Sequence, residues 1–279
     1  MQFFQPNYLG MGHYVPEIIQ SSDITFQNST KNNLPEEPNQ ISEEPEINQN
    51  NVLEYLNSAL KTTDENAFSR HVENLLKVYE KISDEKFQLS MAYCFQQIQK
   101  SPNLQKLPND LRNRCETAVS TLPSTLRIYF FEPTICLRNV NNSNLIFISK
   151  GRLAFDEHRY VLSMYDSIVI SNDFWNATTK ESSVLPGSLE TTLINYHFSS
   201  YAYVEKKKEN FENSVLSWPN ETLIPEAIWT LSYHNNRLMF KQENLAMCVS
   251  EPYNSLKNYI KVLSVQSDSK CEWTPERCS

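Results

Sequence analysis

The segment RYVLSMY (residues 159–165) recurs in outline as SVLSWP (214–219) and IKVLSV (260–265), and this recurrence decides how the second half of the chain is read. Each copy carries Val-Leu-Ser, beginning at Val161, Val215 and Val262, with steps of 54 and then 47 residues. Trp175, Trp229 and Trp273 follow at steps of 54 and 44. Leu137, Leu193 and Leu238 repeat at 56 and 45, as do Ile148, Val204 and Val249. Four independent markers therefore agree on three units, the first two longer than the third.

Outward from these markers, β-branched and aromatic runs alternate with polar turns, the pattern of short strands. The first unit reads ICLRNV, LIFIS, RYVLSMY and DFWNATT; the second TLINYHF, YAYVEK, SVLSWP and AIWTLSY; the third RLMFKQ, AMCVS, IKVLSV and EWTPER. One such unit cannot bury its apolar face alone, so three are expected to close together and remove their exposed edges. Twelve strands in three groups of four predict an all-β β-trefoil over 126–279, with Trp175, Trp229 and Trp273 as equivalent core residues.

Upstream, residues 51–124 have helical period. Val52, Leu53, Leu56, Ala59 and Leu60 share one face, and Phe68, Val72, Leu75, Leu76 and Tyr79 mark a second helix begun near Asp64. Ser83, Asp84 and Glu85 open a third, carboxylates suiting the positive end of the helix dipole. Pro108 to Asp110 open a fourth, which Pro123 stops. These predict a four-helix bundle, so the expected class is α+β multidomain, an N-terminal all-α bundle followed by a C-terminal β-trefoil. Residues 1–50 carry five prolines among Asn, Gln, Ser and Glu without either period, and are expected to form a flexible arm.

Composition narrows the function. The 279 residues carry a net charge of −8, which argues against tracking nucleic acid, where clustered Lys and Arg are needed. No window approaches the roughly 20 apolar residues of a membrane span. The amino terminus lacks a secretion signal, yet Cys94, Cys115, Cys136, Cys248, Cys271 and Cys278 make an even count without zinc-site spacing. Sequons at Asn28, Asn141, Asn176 and Asn220 point the same way, so a secreted glycoprotein whose leader has been removed is expected.

Sequence permits fifteen pairings of six cysteines. In a closed trefoil the first and last strands are neighbours, which favours Cys136 with Cys278. Cys248 and Cys271 fall in one unit, and Cys94 and Cys115 on adjacent helices.

No catalytic set emerges. His13, His71, His158, His197 and His234 show no metal-ligand spacing, there is no GxSxG elbow, and Gly10, Gly12, Gly151 and Gly187 form no phosphate cradle. With the cysteines paired, no thiolate nucleophile is left. The expectation is therefore a protein that is not an enzyme, with no cofactor and no metal. Ricin-type lectins carry a Gln two residues before the repeat Trp; here those positions hold Asp173, Ala227 and Cys271. Lys206-Lys207-Lys208 is flanked by Glu205, Glu209 and Glu212, which weaken its field.

Helices, then a strand near LRIYFFEPTICLRNVNNSNLIF, then three trefoil units resemble the low-molecular-weight haemolymph lipoproteins of insects over about Val52 to Cys278. The resemblance implies a non-enzymatic binding protein that holds a small apolar ligand, a glycan or a protein partner on the trefoil surface or in the bundle–trefoil cleft. Two alternatives are a carbohydrate-binding module and a trefoil-type protease inhibitor, with the loop KESSVLPGSL (180–189) as bait.

Overall fold

The computed structural model describes residues 47–48, 51–81, 84–151, 153, 158–164, 171–207, 211–219, 222–264 and 269–278. The expectation for residues 1–50 falls outside these, apart from Ile47 and Asn48.

Five α-helices precede the strands: α1 Val52–Lys61, α2 Glu65–Tyr79, α3 Glu85–Lys100, α4 Asn109–Thr121 and α5 Ser124–Phe131. Asp64 and Asp84 cap α2 and α3, each side chain accepting from two backbone N–H groups of the first turn. α5 was read from sequence as strand, its aromatic run Ile128–Phe131 being rich in strand formers. It is a helix because Pro123 leads into it, and Leu126, Tyr129 and Phe130 then fall on one buried side.

The strands are β1 Ile135–Asn139, β2 Leu145–Ile148, β3 Arg159–Met164, β4 Trp175–Glu181, β5 Leu189–Asn195, β6 Ser200–Val204, β7 Val215–Trp218, β8 Trp229–His234, β9 Arg237–Gln242, β10 Leu245–Pro252, β11 Lys257–Ser264 and β12 Trp273–Arg277. They form one antiparallel sheet that closes on itself. Around the closure β1, β4, β5, β8, β9 and β12 pair in succession, and β12 returns to β1 with Ile135 opposite Arg277. Hairpins β2–β3, β6–β7 and β10–β11 converge, with β3 pairing to both β7 and β11.

Each unit buries its indole completely and satisfies the ring N–H on the second strand of that unit. Trp175 donates to the Ile146 carbonyl (3.2 Å), Trp229 to Ala202 (3.1 Å) and Trp273 to Met247 (2.9 Å). A second threefold feature has no counterpart in the sequence reading. Asn139, Asn195 and Gln242, all buried, each direct a side-chain amide at two carbonyls flanking a 3₁₀ turn. Lys270 and Glu272 are held by Asn139, Asn172 and Phe174 by Asn195, and Glu226 and Ile228 by Gln242. Buried peptide groups left without partners would be costly, so these amides fasten the turns that lead into the Trp strands.

The expected division into a separate helical bundle and a separate all-β trefoil domain is corrected. Pro45–Ser279 is one compact unit. A single apolar cluster runs from Val52 through Phe95 and Phe130 to Trp229 and Trp273. The physical reason lies in α3, which buries ten of its sixteen residues and so has almost no solvated face left to define a bundle surface. Polar contacts cross the same seam. Asn235 and Asn236, both at positive φ, form the two-residue turn between β8 and β9. The Asn235 N–H donates to the Glu85 carboxylate (3.0 and 3.1 Å), and the Thr125 hydroxyl donates to the Asn236 carbonyl (2.8 Å). The Gln96 side-chain amide donates to the Phe130 carbonyl, while Tyr129 and Thr191 join α5 to β5 through their hydroxyls at 2.7 Å.

Candidate functional site

The convergence of the β2–β3 and β10–β11 hairpins leaves a cleft of about 430 Å³. Tyr160 on β3 is its hub. Its ring centroid lies 5.2 Å from Tyr259 on β11, 5.9 Å from Tyr253 in the β10–β11 turn and 5.9 Å from Phe211. Tyr253 and Tyr259 meet edge to face at 5.2 Å. Such aromatic packing fixes ring orientation as well as burying area. Burial, reinforced by the neighbouring Tyr259 and Tyr253, pushes the Tyr160 hydroxyl up to about 12, so it stays protonated and able to donate at neutral pH.

Tyr253 remains 44% exposed, so the cluster presents an aromatic face to solvent instead of filling the space completely. Polar groups ring it. Ser149, Lys150, Asn172 and Lys257 line the cleft. The Lys257 ammonium stands 5.3 Å from the Phe147 centroid, a cation held over an aromatic floor. Gly151 at the rim has open space where a Cβ would be.

The other recesses are chemically different. One of about 490 Å³ lies among α2, α3 and α4, bordered by Leu76, Tyr79 and Ala118 and by the Arg114–Glu80 ion pair (3.0 Å). The junction of helices and barrel, expected as a binding cleft, holds a polar recess of about 380 Å³ beside Glu54, Asn57 and Glu181 and a smaller one of about 230 Å³ at Leu89, Leu231 and Tyr233.

The residues singled out from sequence are scattered. Cys136 is bonded to Cys278 and Cys248 to Cys271. Cys94 and Cys115 are free buried thiols, which corrects the expected third bridge. Burial pushes the Cys115 thiol up to about 11, and drives that of Cys94 well above the usual range with Glu181 adding to it, so neither is an activated nucleophile. Asn141 is exposed at the β1–β2 turn, whereas Asn176 lies within β4 opposite Ile194 with its side-chain oxygen buried. Asn28 and Asn220 lie outside the described residues. Asp173 and Ala227 are buried and Cys271 is in a bridge, so the lectin Gln positions face inward. Lys206 pairs with Glu243 at 3.2 Å.

His158 stacks on Trp218 with centroids 5.3 Å apart, and its Nδ1 lies 2.6 Å from the Tyr203 hydroxyl, which donates to Glu205. Burial, then the Glu205 charge, raises the Tyr203 pKa. His234 lies 2.8 Å from Glu85. Among the described residues no group of three His, Cys, Asp or Glu side chains could hold a metal ion. Among them, too, no helix is long and apolar enough to cross a membrane.

The loop read as inhibitor bait is a closed structure. The Ser182 hydroxyl accepts from the backbone N–H groups of Val184 (3.2 Å) and Leu185 (3.0 Å), and the Leu185 carbonyl accepts from the Ser188 N–H at 3.1 Å. Pro186 and Gly187, the latter at φ 77°, occupy the centre of that turn. An extended protease substrate needs those backbone groups free for the enzyme. Here they are already bonded within the loop.

No family model matches the chain, and no curated protein matches it, so the haemolymph-lipoprotein resemblance has no support in sequence. Solved structures are similar over about half of it. A mosquitocidal holotoxin is 16% identical over 51% of this chain and 17% of its own, with a TM-score of 0.42. A Culex salivary protein of the cysteine- and tryptophan-rich family is 16% identical over 52% of this chain and 94% of its own, at 0.41. The β-trefoil BEL is 7% identical over 52% and 92%, at 0.40. Likeness at this level carries no argument about the fold or about what the chain does.

Proposed function

We propose that this chain is a secreted, non-catalytic binding protein that receives a sugar in the cleft between the β2–β3 and β10–β11 hairpins. The observation that carries the reading is the solvent-facing Tyr253, held edge to face by Tyr259 and backed by Tyr160, with Ser149, Asn172 and two lysines around it. A sugar ring offers a C–H face that packs on an aromatic ring and a rim of hydroxyls that needs convergent polar partners; a cleft with an aromatic floor and a few polar groups supplies both. Pre-set rings lower the ordering cost of binding. The two bridges and the exposed Asn141 support passage through an oxidising compartment. The buried, unactivated thiols support a role without chemistry.

A glycan array followed by titration of the best binder tests the reading. Tyr253→Ala is expected to weaken binding by about tenfold, the upper end of what one aromatic contact contributes. An array on which nothing binds, or a variant that binds as well as the parent, removes the proposal.

A second reading has its own observation. Val184 and Leu185 are 85% and 59% exposed on the closed 182–188 loop, an apolar knob suited to a contact with a protein surface. The internal hydrogen bonding of that loop favours a rigid docking contact over the protease-inhibitor alternative.

A further inference from the structure

The charge around the cleft narrows the class of sugar, granted that a sugar is what it receives. We infer that the site selects saccharides bearing an anionic substituent, a carboxylate or a sulfate. Among the described residues, the charged groups lining the cleft are Lys150 and Lys257. Neither is in an ion pair with a described carboxylate. Glu251, in the neighbouring part of β10, is engaged elsewhere: Lys261 bonds it at 2.6 Å, and the Ser250 hydroxyl donates to it as well. The chain as a whole carries −8, so two ammonium groups that pair with no described carboxylate and converge on one aromatic cleft run against the background charge.

Geometry sharpens the argument. Lys257 pairs with Met164 across β11 and β3, so its stem starts from the wall that holds Tyr160 and Tyr259, and its ammonium stands over Phe147. Lys150 approaches from the end of the β2–β3 hairpin. Low-dielectric walls lined by one sign of charge concentrate the field within a cleft, so an anionic group entering here gains more than it would on an open face. A neutral sugar of the same shape would meet the rings and the amide of Asn172, yet leave both ammonium groups without a counter-charge. The aromatic floor therefore recognises the ring, and the lysines recognise what distinguishes one sugar from another.

The test uses matched probes: a glucuronate-terminated disaccharide against its glucose-terminated counterpart for the carboxylate, and sulfated against unsulfated lactose for the sulfate. Titration of the full chain is expected to show the acidic member of at least one pair binding about tenfold more tightly, the scale of one or two partly exposed charge pairs. That preference should shrink as salt rises from about 0.01 M to about 0.15 M and the screening length falls from about 30 Å to about 8 Å. The double variant Lys150→Gln, Lys257→Gln should abolish the difference in affinity between the acidic and the neutral member of each pair. The salt dependence of the unsubstituted chain gives a reading that needs no variant.

If both members of each pair bind equally, indifferent to salt and to the lysine changes but weakened by Tyr253→Ala, the charge inference is overturned and the sugar-binding reading stands. If no probe and no array glycan binds, both fall.

Discussion

Tyr129→Ala tests whether helices and barrel are one cooperative body. Tyr129 lies on α5, is almost fully buried, and packs its ring against Phe130 (5.2 Å) and Phe240 (6.1 Å), the latter on β9. Its hydroxyl meets Thr191 of β5 at 2.7 Å. Truncating a buried aromatic side chain costs about 3–5 kcal/mol, because the transfer free energy is lost and the cavity collapses only in part. Thr191 keeps hydrogen bonds to Thr179 and to the Thr178 carbonyl, so losing the hydroxyl adds little, and about 4 kcal/mol is expected. With a urea dependence of about 3 kcal/mol per molar, suited to a unit of this size, the midpoint should fall by about 1.3 M. The chain separates the two signals needed. All four tryptophans, Trp175, Trp218, Trp229 and Trp273, lie in strands, so their fluorescence reports the barrel, while far-UV circular dichroism is weighted toward the helices. One shared core requires the two transitions to coincide before the substitution and to move together after it. A fluorescence midpoint that stays in place while the helical signal shifts would refute the reasoning.

Four further outcomes are expected. Expression in a secretory host with peptide mapping should find glycan on the exposed Asn141 and none on Asn176, whose side chain is partly enclosed within β4; occupancy at Asn176 counts against the structure. Thiol titration without reductant should detect no reactive group in the native protein at pH 8 and two after unfolding, since burial keeps Cys94 and Cys115 protonated; four groups, or none, would mean a different bridge set. Removing Cys136–Cys278, with a sequence separation of 142, should cost about 5 kcal/mol against about 3.5 for Cys248–Cys271, with a separation of 23, on the loop-entropy account; equal losses in denaturant titration would reject that account here. Hydrogen bonds from Lys261 and Ser250 hold the Glu251 carboxyl at about 2, below its unfolded value of 4.5, so its contribution is complete above that value and fades as pH falls toward 2. Because the pair is largely exposed, Glu251→Gln should remove less than about 1 kcal/mol at neutral pH and flatten the acid limb of a stability–pH curve; an unchanged limb would contradict it.

The strand pattern was legible because it depends on period and spacing, which survive in the residues themselves. Trp175, Trp229 and Trp273 mark equivalent places because a buried indole needs both volume and a carbonyl partner, and few residues can substitute. The division between helices and barrel was not legible. An amphipathic stripe shows that a helix buries a face but not against what, and α3 buries nearly everything, so periodicity could not tell a bundle from helices packed on a sheet. α5 was misread for a related reason: Ile128, Tyr129, Phe130 and Phe131 favour strands intrinsically, and packing overrode that preference. The amide clamps escaped because the third is Gln242, whose longer side chain reaches its carbonyls from a different offset than Asn139 and Asn195 do.

The cleft was hidden for a more general reason, which also says where function sits in such a chain. Directly before the three Val-Leu-Ser tripeptides stand Tyr160, Ser214 and Lys261, and two residues earlier still His158, Glu212 and Tyr259. These positions have no common chemistry, so a search for repetition passes over them. Yet His158, Tyr160, Ser214, Tyr259 and Lys261 lie at the seams where the hairpins meet. At the β3–β7 seam, His158 stacks on Trp218 and reaches Tyr203, filling the space. Near β7 and β11 the backbone closes it, with the Val262 N–H donating to the Asn213 carbonyl and Ser214 bridged to Lys261. Between β3 and β11, among the described residues, the rings of Tyr160, Tyr253 and Tyr259 instead hold the walls apart around a space that stays open. Threefold repetition supplies three equivalent seams, two of them sealed by the side chains or backbone particular to each. The residues that depart from the repeat therefore determine which seam can hold a ligand, while those that obey it keep that seam in shape.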